Sequence, residues 1–217
     1  MNPQSNDQAG SVPLTVETIE LLGGWLCLDF VNTVDPRVGA HSRDFLTNYA
    51  DLVLWSHHVG VLTEARRGYL LHAGAQHTVE ASKIFARAIV LRETLYRVFS
   101  AIAGATTPER ADLDVLQAEF AEAMQHASLV PTTEGFATAW LKNEDALDCI
   151  LWPIATSAVE LLTSNRIRRV KQCPGVGDCG WLFLDISKNG SRLWCSMNDC
   201  GSRAKMRRQY ARKRAAR

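Results

Sequence analysis

Residues 173–217 read CPGVGDCGWLFLDISKNGSRLWCSMNDCGSRAKMRRQYARKRAAR, and they hold four of the chain's six cysteines, Cys173, Cys179, Cys195 and Cys200. The spacing is C-x5-C, fifteen residues, then C-x4-C. Two close pairs around a short insert suit one tetrahedral Zn²⁺, each pair offering two thiolates from a tight turn. Pro174, Gly175, Gly177 and Gly180 supply turn chemistry around the first pair. Two disulfides, a redox pair and an iron–sulfur cluster are the competing readings. A chain without a signal peptide or apolar span is expected in the cytoplasm, where disulfides rarely persist. A redox motif needs C-x-x-C beside a βαβ pattern, and two separated pairs beside a basic helix suit zinc better than a cluster. A four-thiolate zinc has no open position, so it is a scaffold rather than a catalyst.

Between the pairs, Trp181 to Leu184 alternates like a strand, Asn189-Gly190 signals a turn, and Leu193-Trp194 reads as the returning strand. A helix capped by Asn198 or Asp199 follows. The expectation is a treble-clef-like finger made of knuckle, β-hairpin and basic helix. From Ser164 onward there are 14 Lys and Arg against three acids, a balance of +11. The preceding residues hold 10 against 20, so the net +1 is a cancellation. An acidic body with a basic end points to nucleic acid, whose phosphates would meet Arg203, Lys205, Arg207, Arg208, Arg212 and Lys213. A solvated tail, or one docked on the acidic body, is the blander reading. Arg203 and Arg207 are the candidates for guanine contacts.

The stretch DCGWLFLDISKNGSRLWCSMNDCGSRAK resembles the CGNR zinc finger, named for four residues that here read Cys200-Gly201-Ser202-Arg203, with Ser in place of Asn. Upstream, GGWLCLDFVNTVDPR resembles the opening of the ABATE domain. The resemblance implies a larger N-terminal domain followed by the finger, and a role in stress-induced regulation of transcription.

The rest of the chain divides into a polar start over 1–12, a mainly α domain with a minor β element over 13–165, and the finger over 166–217. Gly23-Gly24 followed by Trp25 to Val31 reads as a buried strand. Asp29 inside it needs a partner, as a capping group or a ligand contact. Helical patterns follow over about 44–58, 63–73 and 78–103, and another begins at Thr107 with Leu113, Leu116, Phe120 and Met124 inward. Arg87, Arg92 and Arg97 on the longest read as a solvated face. His57-His58 point apart on a helix and do not suggest a shared ion. Phe136 to Trp140 reads as a short strand paired with the one at Trp25. A last helix spans about 144–163, with Pro153 as a kink.

The chain contains no GxSxG, HExxH or phosphate-binding glycine loop, so an enzyme is not expected. The expected function is a DNA-binding transcription regulator whose helical domain senses a small molecule or pairs two subunits. Trp25, Asp29, Asn32, Arg37 and Trp55 are the candidate effector-pocket residues, with core packing as the competing role of the tryptophans. Two alternatives stand beside it. One is an RNA-binding protein that stacks bases on Trp181, Phe183 and Trp194. The other is a ligand-binding protein or enzyme that uses the finger only for stability.

Overall fold

The computed structural model describes residues 14–39, 41–140 and 146–215. Seven helices carry it: α1 (Leu26–Val31), α2 (Tyr49–His58), α3 (Glu64–Gln76), α4 (Thr78–Ala103), α5 (Arg110–His126), α6 (Leu151–Thr163) and α7 (Ser202–Ala215). Three two-stranded antiparallel ribbons punctuate them: β1 (Val34–Asp35) with β2 (Arg43–Asp44), β3 (Ser128–Thr132) with β4 (Gly135–Ala139), and β5 (Val170–Gln172) with β6 (Leu182–Leu184).

The segment expected as a buried strand is α1. An unbroken apolar run satisfies a buried helix as well as a buried strand, so local pattern does not decide between them. Asp29 decides it here. Its carboxylate accepts the Gly23 N–H at 2.7 Å, closing the chain over the first helical turn. Leu28, Phe30 and Val31 are fully buried, and α1 packs on α4, α6 and β6. A short helix surrounded by other elements buries nearly every side, which erases the alternation a strand would show.

The remaining helices follow local chemistry. Asn48 and Thr63 cap α2 and α3 by accepting the backbone N–H groups of Asp51 and Arg66. His57 and His58 face different partners, Glu64 at 3.3 Å and the Ile19 carbonyl at 2.9 Å. A 3₁₀ turn, Leu147–Ile150, precedes α6. Pro153 stands in the first turn of α6, where the missing N–H is tolerated, so it helps to start that helix rather than kink it. The strand at Phe136 pairs with β3 next door in sequence, Pro131 opposite Phe136, because the Thr133-Glu134-Gly135 turn closes locally.

Each of the three arginines of α4 pairs with a carboxylate, and Arg92 is not solvated at all. Arg92 is buried and grips Asp44 with two hydrogen bonds of 2.7 and 2.6 Å. Arg87 pairs with Glu119 of α5 and with Asp148, and Arg97 pairs with Asp112 of α5. Steps of five residues aim successive side chains around the helix, so each arginine ties α4 to different partners. Among the described residues no helix is long and apolar enough to cross a membrane.

Candidate metal centre and basic helix

Cys173 and Cys179 bracket a knuckle that joins β5 to β6. Gly175 adopts φ 53°, and a Cβ there would lie 2.6 Å from Cys179 Cβ, so a side chain at this position would push the pair apart. The hairpin of the finger is therefore β5–β6, with Val170 opposite Leu184, and the knuckle is its loop. Leu193-Trp194 does not return as a strand. The reason lies in Asp185, which is fully buried and turns the chain away. Its carboxylate takes Lys171 Nζ at 2.7 Å, the Ser187 N–H at 2.9 Å and the Arg192 N–H at 3.0 Å. Burial opposes its charge, yet Lys171 and Ser187 hold the carboxyl well below the usual range. Lys171 also donates to the carbonyls of Gly190 and Arg192. This knot folds the 185–192 loop back and delivers the second cysteine pair to the first.

The sulfurs of Cys173, Cys179, Cys195 and Cys200 lie within 4.8 Å of one another, all buried. Cys179 and Cys195 are 3.6 Å apart, and Cys195 and Cys200 3.7 Å. A tetrahedral zinc with bonds of about 2.3 Å sets sulfur–sulfur edges of about 3.7 Å, so the donor set fits Zn²⁺. Four buried thiolates this close require a cation between them. The four cysteines are the ligands of one structural zinc. With all four positions taken by protein, the ion supplies folding and no open coordination site. Arg192 braces the second pair. It lies over the Phe183 ring and donates to the carbonyls of Trp194 and Cys195.

Ser196, rather than Asn198 or Asp199, caps the last helical segment, its Oγ accepting the Asp199 N–H at 3.3 Å. The segment opens as a π-turn, Met197–Gly201, before becoming α7. Such widened turns gather where a side chain must be re-aimed, and here Cys200 must face the metal. Ser202, at the position of the usual Asn, donates to the Met197 carbonyl across this turn.

A family model described as "Putative stress-induced transcription regulator", ABATE, matches residues 24–165. A second, the CGNR zinc finger, matches residues 169–213. The chain belongs to the ABATE family. No curated protein matches it. In this ABATE chain the helices and the finger share one core. Leu182, Phe183 and Leu184 are buried beside α1 and α4. Asn32 binds both backbone groups of Leu182, donating to its carbonyl at 2.8 Å and accepting its N–H at 2.9 Å. Leu184 N donates to the Gly23 carbonyl, Trp181 Nε1 to the Val34 carbonyl and Arg37 N to the Cys179 carbonyl.

Each of the five residues expected to line an effector pocket has a contact of its own, and of them Trp25 lines a cavity of about 390 Å³ beside Trp140 and Pro153. Trp25 donates its indole N–H to the Ser157 carbonyl. Asp29 accepts the Gly23 N–H, and burial pushes its carboxyl up to about 6 against that bond and the His58 charge. Asn32 is the strut to the finger. Arg37 pairs with Glu93 at 3.0 Å and lies over the Tyr96 ring. Trp55 is fully buried and packs on Phe30. A cavity of about 330 Å³ lies elsewhere, between the body and the base of α7, and includes Asp35, Asp178, Asp199 and Arg203. Burial and the charges of Asp199 and Asp178 push the Asp35 carboxyl up, with Arg203 opposing. Its walls come from segments more than 140 residues apart, so no local motif marks it.

The basic helix divides in two. Arg203 reaches Asp199 at 3.0 Å, Asp178 at 3.4 Å and Cys200 Sγ at 3.2 Å. Partial desolvation opposes its charge, but these neighbours hold it protonated. Arg207 donates to the Val176 carbonyl at 2.8 Å. These two residues brace the helix on the knuckle. Lys205, Arg208, Arg212 and Lys213 are exposed, and none of their side chains hydrogen-bonds or pairs with another described residue.

Proposed function

We propose that this chain is a DNA-binding transcription regulator in which residues 166–217 grip DNA and residues 13–165 sense a small ligand or pair two subunits. One observation carries the reading. Helix α7 is held at its first turn by the metal centre, and beyond it no residue is buried. Lys205, Arg208, Arg212 and Lys213 stand free to neutralise phosphates and release counterions, and their partnerless charge is the expected signature of a nucleic-acid surface. Duplex DNA is favoured over single-stranded RNA because, of the three aromatics an RNA reading would stack on bases, Trp181 and Phe183 are buried in the core and Trp194 is partly buried against it. The family descriptions are regulatory and metal-binding, and the regulatory description supports the same reading.

The test is selection of bound fragments from genomic DNA by the zinc-loaded chain at several salt concentrations. Enrichment of one site about three decades tighter than bulk DNA supports a specific regulator. Salt-sensitive binding without enrichment limits the function to nonspecific gripping, and no binding at low salt removes the reading.

A further inference from the structure

We infer that the cavity between the body and the base of α7 is a binding site for a small protonated amine on an apolar skeleton. Its volume of about 330 Å³ is in the range of small-molecule sites. Leu22, Pro36 and Trp181 give it apolar walls. The charged part of its lining is acidic, with Glu20, Asp35, Asp178 and Asp199 against a single cation, Arg203. Arg203 is already shared between Asp178 and Asp199, at 3.4 and 3.0 Å. The Asp35 carboxylate has no hydrogen bond or ion pair among the described residues. Beside this group lie Cys179 and Cys195, two ligands of a centre that carries a net −2 when four thiolates hold Zn²⁺. Partnerless carboxylate, surplus negative charge and apolar walls together select a cation with a hydrophobic body and reject an anion of the same shape.

The site names the ligand class for the sensing role proposed above, and rests on that reading only for its meaning. An ammonium group at Asp35 competes with Arg203 for Asp178 and Asp199. Those contacts hold the first turn of α7 to the knuckle, so occupation of the cavity reaches the basic helix through one arginine.

Three probes of one shape test it: phenethylamine, phenethyl alcohol and phenylacetate, each titrated calorimetrically into the full-length zinc-loaded chain without DNA. Phenethylamine is expected to bind at least tenfold tighter than either control, and Asp35→Asn to weaken it five- to tenfold while zinc content is unchanged. In the wild-type chain, magnetisation transfer between the phenyl protons and the Leu22 methyls is expected, a readout that survives if the variant does not fold. Equal binding of the three probes, an unaffected Asp35→Asn, or transfer to residues outside the cavity overturns the site. Because no DNA is present, failure here is separate from failure of the DNA-binding reading.

Discussion

The two ends of the finger are held in opposite ways. Its hairpin, β5 and β6, lies in the same core as α1 and α4, and Leu182, Phe183 and Leu184 are each at most 2% exposed. Its terminal helix, α7, buries nothing. Zinc stands where these two regimes meet. A metal site that only folded a small module would leave the module free of its neighbour. Here one strand of the finger completes the body, and the metal transmits that rigidity to the first turn of a helix that otherwise projects alone.

The comparison breaks first at the metal. Cys195→Ser removes a ligand from a site whose zinc contributes about 10–16 kcal/mol in small zinc domains, against a net stability of about 5–15 kcal/mol for a whole domain. Zinc loss is expected to lower the helical circular dichroism of the entire chain. An ABATE region that keeps its unfolding midpoint after losing zinc would show that the shared core does not couple the parts. Phe183→Ala, in the buried strand, is expected to cost about 3–5 kcal/mol by urea unfolding. Asn32→Ala strands the N–H and carbonyl of Leu182 together and is expected to cost about 2–4 kcal/mol, with zinc content retained. A cost near zero would mean that water replaces the strut.

Asp29 sharpens the comparison through pH. Its folded carboxyl holds a proton up to about 6, above the ordinary value of 3.8, so the folded state binds more protons in that window. Its contribution to stability therefore falls as pH rises from about 4 to about 6 and stays low above. Asp29→Asn keeps an oxygen for Gly23 and loses the charge. It is expected to gain about 1–2 kcal/mol at pH 7.5 and nothing at pH 4, measured by denaturant unfolding at both. The smallest stability change belongs to α7. Arg208→Glu with Arg212→Glu is expected to alter unfolding by less than about 0.5 kcal/mol. On the proposed function the same variant weakens DNA binding and lowers the salt slope by about 2. Unchanged DNA affinity would move the contact surface off this helix.

Legibility followed the range of the interactions. The long helix over 78–103 was readable because its apolar stripe repeats locally. The segment at Trp25 was not, since burial on all sides removes the period that separates helix from strand. Arg92 read as solvated because its partner Asp44 lies 48 residues away, beyond any sequence window. Asn32 stood out as a polar residue after an apolar run, but its use as a backbone strut depends on a strand 150 residues downstream. The cavity at Asp35 left no local trace for the same reason.

What the sequence alone determined is the metal centre and the charge division. Ligand identity is written in cysteine spacing, because each pair is closed by its own turn, and net charge is additive and needs no fold. What only the tertiary structure decided is which residues share surroundings. It made Arg203 and Arg207 braces rather than free cations, and joined finger to body through one buried strand. It also set four carboxylates against a single arginine in a cavity beside the metal. Those outcomes depend on contacts between distant segments, and the free energy of such contacts belongs to pairs that no stretch of sequence contains.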